Sequence, residues 1–464
     1  MNFDALRQIL VAHHQDHLLA FWDELSEPAR QSLVRQVEEI DLPLIARLHA
    51  KRDEQSDVRA LLERAIPPQA IRLDASRNPY SPAEARQRGE QSLRQGEVGV
   101  VLVAGGQGTR LGFDHPKGMF PIGPISRRTL FQIHVEKIVA AGLRYGVRIP
   151  FYLMTSPATH EETVAFFAEH DRLGLRADDL FVFCQGTMPA VDAATGKILL
   201  ETKDRIAVSP DGHGGMLRAL DRSGALQQMS ERGIRRLFYF QVDNPLVAIC
   251  DPEFLGYHLL SGSEMTTQVV AKEDPLDRVG NVVSVDGRTV VVEYSDLPDD
   301  VARQREPDGS LRIWAGSIAV HGIEVSLLER CARDAESLPF HIARKTVACV
   351  DETGAAVKPA EPNAIKFERF IFDLIPRAEN ALVVEIDPAE GFAPLKNAPG
   401  APRDTAEWVQ QQMIAQHRRW LEAADVRVAE RVPVEISPLW ALDAAEVREK
   451  VVPETRVSEP VYFA

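Results

Sequence analysis

Residues 98–106 read Val98-Gly99-Val100-Val101-Leu102-Val103-Ala104-Gly105-Gly106, a β-branched apolar run that ends in paired glycines. A run apolar at successive positions, rather than at every second one, is what a strand covered on both faces requires. Working outward, the same kind of text recurs at 149–155 (IPFYLMT), 179–184 (DLFVFC) and 236–244 (RLFYFQVDN). Helical patterns such as 162–170 and 217–229 separate these runs. The alternation predicts an α/β domain with a mostly parallel sheet.

A second block, 266–320, carries strand-like runs joined by turn signals such as Val285-Asp286-Gly287, which predicts hairpins within or beside the same sheet and makes that sheet mixed. The text at 367–375 (FERFIFDLI) then reads as helix and loop, and 404–423 reads as an amphipathic helix that opens a small C-terminal module. Upstream, Leu6, Ile9 and Leu10, and later Leu33, Val34, Val37 and Ile40, recur at helical spacing, with a helix start at Ser26-Glu27-Pro28. Residues 67–95 suit a surface connection with a helix from about Pro82. The expected division is a helical region over 1–95, a main α/β domain over 96–400 and a small module over 401–464.

The formal net charge of −15 and a pI near 5.4 leave no diffuse basic field to hold nucleic acid or an anionic membrane, so any phosphate must be gripped locally. Cys184, Cys250, Cys331 and Cys349 lie far apart with no C-x-x-C pair, which suits reduced thiols. No signal-peptide pattern and no apolar run of about 18 residues is found, so a cytoplasmic protein without a membrane anchor is expected. The assembly is left open between a monomer and a weak dimer.

Chemistry concentrates at Ala104-Gly105-Gly106-Gln107-Gly108-Thr109-Arg110-Leu111-Gly112, just past the first buried strand, followed by Pro116-Lys117-Gly118. Glycines there let backbone amides approach a phosphate, and Arg110 and Lys117 supply charge against a triphosphate. Two familiar loops do not fit. The P-loop pattern needs a Lys-Ser/Thr pair, and the dinucleotide pattern needs glycine where Leu111 stands. A nicotinamide-dependent reading also needs an acidic residue about 20 residues beyond the glycines, and Glu136 lies farther on.

The run GGQGTRLG followed by PKG resembles the signature loop of the UDP-sugar pyrophosphorylases, particularly the eukaryotic-type UDP-N-acetylglucosamine (N-acetylhexosamine) pyrophosphorylases. The likeness continues in order through YLMTSPATHEETVAFF, QGTMPAV, SPDGHGGMLRAL, QVDNPLV, DRVGNVV, VVEYSD, AGSIAVH, PNAIKFERFIFD and PLKNA, covering roughly 98–400. The resemblance implies a Rossmann-like, GT-A-like nucleotidyltransferase domain over 96–400 that uses UTP, a hexose 1-phosphate and Mg2+, with a UDP-sugar and pyrophosphate as products. It implies Asp243 as the metal ligand, Lys117 at the β- and γ-phosphates, Arg110 at the leaving pyrophosphate and Lys396 near the transferring phosphate. For the nucleotide it points to Ala104, Gly105, Gly106, Gly108, Thr109, Gln185 and Gly212, and for the sugar to His213, Gly280, Glu293, Tyr294, Ser317 and Phe372. A sugar phosphate is already an anion, so such a reaction needs positioning and charge neutralisation rather than a general base.

Two departures bear on the acceptor. The family's DG-N-GG block is Asp211-Gly212-His213-Gly214-Gly215 here, and its AGN block is Ala315-Gly316-Ser317. Imidazole or hydroxyl in place of an amide changes donor and acceptor geometry, so glucose or galactose 1-phosphate stands beside N-acetylglucosamine 1-phosphate as an expected acceptor. A non-catalytic nucleotide-sugar binder is disfavoured by the joint presence of Arg110, Lys117, Asp243 and Lys396. His13, His14, His17, His115 and His160 show no zinc-ligand spacing.

Overall fold

Helices α1 (Phe3–Ala12), α2 (Glu27–Glu38) and α3 (Leu42–Ala50) bury one face each, and Leu6, Leu10, Leu33, Val37 and Ile45 form a core with Val191, Ile198, Ile206 and Phe367. This is the computed structural model of the chain, in which residues 2–53, 58–334, 337–452 and 454–464 are described. The chain divides into two compact units, and these helices belong to the smaller one: Met1–Val58, Gln185–Met216 and Leu338–Ile371. The expected 1–95 segment is thereby cut after residue 58.

Two glutamines explain why the helices of the smaller unit hold its later segment. The Gln15 amide donates to Gly196 O and accepts from Ile198 N, while Gln36 donates to Asp204 O and accepts from Ile206 N. Each pair satisfies the backbone as a neighbouring strand would. An antiparallel sheet in the order His341–Lys345, Ala364–Glu368, Val191–Asp192 completes the unit. The expectation of helix and loop across 367–375 is corrected here. Phe367 and Glu368 end a strand in which Ile365 and Phe367 are buried and Lys366 and Glu368 are half-buried, a period of two. Only Ile371–Arg377 is helical, as a 3-10 segment.

The larger unit, Arg59–Cys184, Leu217–Ser337 and Phe372–Ala464, is built on one mixed sheet. Its strands are β1 (Ala70–Ile71), β2 (Val98–Val103), β3 (Phe151–Thr155), β4 (Leu180–Cys184), β5 (Arg236–Gln241), β6 (Met265–Ala271), β7 (Gly280–Val285), β8 (Arg288–Val292), β9 (Ala315–Glu324) and β10 (Ala381–Glu385). The order is β1-β10-β6-β9-β5-β2-β3-β4, with β7 pairing β8 and β9. Strands β5, β2, β3 and β4 run parallel, as the alternation of strand and helix text predicts. Strand β9 is antiparallel to both β5 and β6, which makes the sheet mixed. The β7–β8 hairpin turns at Asp286-Gly287, both at positive φ, as a tight two-residue loop demands.

Helix α4 (Pro82–Arg94) opens on a Ser81/Glu84 capping box, and α5 (Leu130–Tyr145) opens on Thr129/Gln132 and closes on left-handed Gly146. Helices α6 (His160–Glu169), α7 (Pro252–Leu260), α8 (Ala406–Ala423) and α9 (Ala444–Lys450) follow. Together α5 and α6 supply the crossovers from β2 to β3 and from β3 to β4. The C-terminal residues gather a small core of their own around Leu421, Val426, Val434, Ile436 and Val447. No helix among the described residues is long and apolar enough to cross a membrane.

Helices α4 and α7 meet backbone to backbone. A Cβ on Gly89 would lie 1.8 Å from Pro252 O, and one on Gly256 would lie 1.6 Å from Ala85 O. Gly89→Ala should therefore lower stability. Overpacking against fixed backbone costs about 1–3 kcal/mol, which outweighs the ~1 kcal/mol that alanine adds to a helix. A urea midpoint equal to or above that of the parent would refute the close approach.

Candidate active site

The glycine loop leaves the buried end of β2 and is propped from β3. Ala104 N–H donates to Met154 O at 2.8 Å, and Ser156 Oγ donates to Gly105 O at 2.7 Å. The loop closes on itself through Gly108 N–H to His115 O at 2.9 Å and Lys117 N–H to Gly106 O at 3.0 Å. Gly106, Gln107, Thr109 and Arg110 stay exposed, and the amides of Gly106 and Gln107 make no hydrogen bond to the described chain. Exposed amides at a strand end, flanked by cations, suit an anion. His115 pairs with Glu162, which accounts for that histidine without a metal.

Asp243 sits two residues past the C-terminal end of β5, and its surroundings hold the backbone there rigid. His134 Nε2 lies 3.0 Å from Val242 O, and Lys137 Nζ donates to Pro245 O at 2.5 Å and Val247 O at 2.9 Å. Burial pushes His134 down to about 3 and Lys137 down to about 7, so His134 stays neutral and donates through Nε2. Buried Asn244 donates to Gly391 O at 2.8 Å and accepts from Leu246 N–H at 3.2 Å and Ala393 N–H at 3.1 Å. Leu395 N–H then donates to Asp243 O at 2.8 Å, which brings Lys396 to the same strand end. Asp404 O accepts from both Lys396 N–H and Asn397 N–H at 2.9 Å, closing the turn that presents Lys396.

Lys117, half-buried, donates to Leu395 O at 3.4 Å. Burial lowers its ammonium pKa; Asp243 opposes that shift, and Lys396 and Arg110 add to it. Asp243, Lys396 and Arg110 thus each lie within electrostatic reach of Lys117. Asp404, which sequence reasoning passed over, joins them: burial raises its carboxyl pKa, Arg403 and Lys396 lower it, and Asp243 and Asp277 raise it further. No group of three His, Cys, Asp or Glu side chains among the described residues could cage a metal.

Gly280 and Ser317 are register partners on β7 and β9, and Glu293 follows Val292, the partner of Asn281, so these three share one corner of the sheet. Behind them Lys272 is buried and donates to Asn281 Oδ1 at 2.7 Å and Pro275 O at 3.0 Å. Burial pushes this ammonium down to about 8, against the pull of Asp277 and Asp274. Tyr294 is 48% exposed and Phe372 is 7% exposed, so the two aromatics differ sharply in environment.

Gln185, Gly212 and His213 belong to the smaller unit. Gln185 is buried. Gly212 has φ +83°, and a Cβ there would lie 2.3 Å from Arg369 O, so the position excludes side chains. His213 Nδ1 accepts from Ile371 N–H at 3.1 Å, and its ring stacks on Phe370 with centroids 5.2 Å apart. Burial pushes His213 down to about 4, with His341 adding to the shift. The neutral ring with Nδ1 as acceptor carries its proton on Nε2.

His134, Lys137, Asn244, Lys272 and Asp404 escaped the sequence reading. Asn244 lay in the block that carries Asp243, while Lys272 and Asp404 lay in runs read only for strand and helix; these and the two α5 residues look like ordinary helix, strand or loop residues until their partners are seen.

A family model described as UTP–glucose-1-phosphate uridylyltransferase matches residues 48–434. The chain is 38% identical over 428 residues to UDP-N-acetylhexosamine pyrophosphorylase-like protein 1 of Homo sapiens, covering 89% of this chain and 84% of that protein. It is 34% identical over 450 residues to UDP-N-acetylglucosamine pyrophosphorylase of Saccharomyces cerevisiae, covering 93% and 94%. The uridine diphosphate N-acetylglucosamine pyrophosphorylase of Trypanosoma brucei, solved with an inhibitor, superposes with a TM-score of 0.82 at 26% identity, covering 98% of each chain.

Lys117→Ala and Asp243→Asn should each lower turnover by about 10²–10³-fold, the scale for losing one charge-stabilising group, with the denaturation midpoint nearly unchanged. Near-parental kinetics in either variant would refute the placement. For His213, heteronuclear NMR should show a neutral Nε2–H ring at pH 7 that protonates only as the pH falls toward about 4. A transition near the ordinary histidine value would refute its burial.

Proposed function

The chain belongs to the UDP-sugar pyrophosphorylases of the UTP–glucose-1-phosphate uridylyltransferase family and is a uridylyltransferase, and from that premise we propose that it joins UTP to N-acetylglucosamine 1-phosphate. In the reaction a phosphate oxygen of the sugar 1-phosphate attacks the α-phosphorus of UTP. The new P–O bond replaces the bond between the α-phosphorus and the oxygen bridging to the β-phosphate, and pyrophosphate leaves. The observation that carries the reading is the convergence of Arg110, Lys117, Asp243 and Lys396 beside an exposed glycine loop.

Roles follow from charge and position. Loop residues Gly105, Gly106, Gly108 and Thr109 and the backbone at Ala104 receive the nucleotide. Lys117, desolvated on one side, meets the β- and γ-phosphates, where a cation freed from water acts most strongly. Arg110 takes charge developing on the leaving pyrophosphate, and Lys396 faces the transferring phosphate. Gly280, Glu293 and Ser317 take the sugar, with Tyr294 and Phe372 beside them. Gln185 and Gly212 keep their implied nucleotide role, and His213 its sugar role.

Magnesium is the proposed metal, held by Asp243. The donor set fits it: Mg2+ is commonly bound through one or two carboxylates with substrate phosphates and waters, rather than by an all-protein cage. When bound, the ion supplies charge neutralisation at phosphate oxygens. A cytoplasmic location and a monomer or weak dimer complete the proposal.

A second reading, glucose or galactose 1-phosphate as acceptor, is favoured by His213 and Ser317, which stand where the resemblance implies amides. Pyrophosphate release from UTP and magnesium across glucose, galactose, N-acetylglucosamine and N-acetylgalactosamine 1-phosphates separates the two. N-acetylglucosamine 1-phosphate should give the highest kcat/KM, and chelation should abolish release until magnesium is restored. A clear preference for glucose 1-phosphate would overturn the hexosamine assignment.

A further inference from the structure

Between Lys117 and α5 the chain forms a closed loop whose own hydrogen bonds, Arg127 N–H to Gly123 O at 3.2 Å among them, leave the amides of Ile125 and Ser126 without an acceptor inside the loop. Phe120 N–H donates to Lys117 O at 2.9 Å, Leu130 N–H donates to Phe120 O at 3.1 Å, and Pro121 bridges Thr129. Ile122 N–H and Gly123 N–H both donate to Arg128 O, at 2.9 and 3.0 Å. These bonds fix the stem. At the tip, the amides of Ile125 and Ser126 face away from the stem and need an acceptor.

That acceptor comes from the far end of the chain. Strand Val434–Ile436 pairs in parallel with Val461–Phe463, with Glu435 opposite Tyr462. Glu435 is 3% exposed, and its Oε2 accepts from Ile125 N–H at 2.7 Å and Ser126 N–H at 2.6 Å, while Oε1 accepts from Ser126 Oγ at 2.6 Å. Tyr462 Oη accepts from Arg128 Nε at 2.9 Å, which ties the stem to the same strand pair. Charge-assisted bonds of this kind are stronger than neutral ones, and a buried carboxylate surrounded by donors cannot shift without losing them. The strand pair is itself anchored to α8 through Ile436 N–H to His417 Nδ1 at 3.3 Å.

We propose that Glu435 is a positioning residue for UTP binding: its carboxylate templates the 120–130 loop, and the loop in turn sets Lys117 against the glycine loop. The inference rests on the assignment of Lys117 to the UTP phosphates. It gives the C-terminal strands a part in nucleotide binding although they lie outside the phosphate-contacting set.

Glu435→Gln replaces one accepting oxygen with an N–H2 group aimed at other donors. Measured by UTP titration and steady-state kinetics on the full chain, it should weaken UTP binding and kcat/KM for UTP by about tenfold to a hundredfold, the scale of a small misplacement of a binding group. The KM for the sugar 1-phosphate should stay at the parental value. In a Lys117→Ala background, Glu435→Gln should add no further loss of UTP affinity, because both changes act through one group. Ser126→Ala, which removes the bond to Glu435 and the one accepted from Arg128 N–H, and Tyr462→Phe, which removes one, should shift UTP affinity in the same direction by a few-fold, and they decide the matter if Glu435→Gln does not fold. Parental UTP affinity in a folded Glu435→Gln, equal losses toward both substrates, or additive loss with Lys117→Ala would overturn the positioning role while leaving the Lys117 assignment intact. Parental UTP affinity in Lys117→Ala alone would overturn that assignment and the proposal with it.

Discussion

The bond from Leu395 N–H to the carbonyl of Asp243 joins the end of β5 to the segment that carries Lys396, and the candidate site is arranged around that junction. It does not act alone. Asn244 pairs with Gly391, Ala393 and Leu246, and Lys117 Nζ reaches Leu395 O. On the other side His134 and Lys137 of α5 satisfy the carbonyls of Val242, Pro245 and Val247. A buried donor or acceptor left without a partner costs about 1–3 kcal/mol, so each bond holds the next in place. The loop after β2 and the turn after β5 are thereby fixed by one helix, α5, that contacts both ends of the arrangement.

Electrostatics explains why such tethering is needed. A protein of net charge −15 repels a triphosphate at long range, and attraction must come from cations gathered within a Debye length of about 8–10 Å. Burial lowers the pKa of Lys117, Asp243 opposes that shift, and the nearby Lys396 and Arg110 add to it. Such a cluster persists only on a backbone that cannot relax away from it. A polyanion bound there would relieve the repulsion, and the site's preference for phosphate would arise from the same strain.

The parallel half of the sheet was legible because a doubly covered strand leaves no polar alternation: 98–106 and 236–244 declared themselves. What was not legible depends on partners distant in the chain. Gln15 and Gln36 carry no sequence signal of a partner, yet each replaces a strand neighbour for residues 196–206. His134 and Lys137 are one turn apart on an apolar helix and looked like ordinary packing and solvated residues. At 364–368 the alternation Ile365-Lys366-Phe367-Glu368 was present but hidden by the helical look of the text that follows it. Glu435 gave no signal at all, because a lone acidic residue among β-branched neighbours is common and its three donors lie in a separate loop.

The two positions proposed to face the acceptor differ in hydrogen-bond inventory from the amides that the resemblance implies. An asparagine offers both a carbonyl acceptor and an amide donor, whereas the neutral His213 ring, its Nδ1 accepting from Ile371 N–H, carries a donor alone at Nε2. A donor-only group recognises lone pairs, which an acetamido carbonyl and a sugar hydroxyl both present. The exchange therefore preserves a way to hold an N-acetyl group and removes a way to detect a hydroxyl proton. Ser317 shortens the side chain at the β7–β9 corner, which adds room beside Gly280. Sites reject a substrate most strongly when it leaves a buried polar group unpaired, and a single half-buried donor is easier to satisfy than an amide with two functions. On the sugar role proposed for them, His213 and Ser317 relax discrimination more readily than they reverse it, and favour breadth of acceptor use over exchange of one sugar for another.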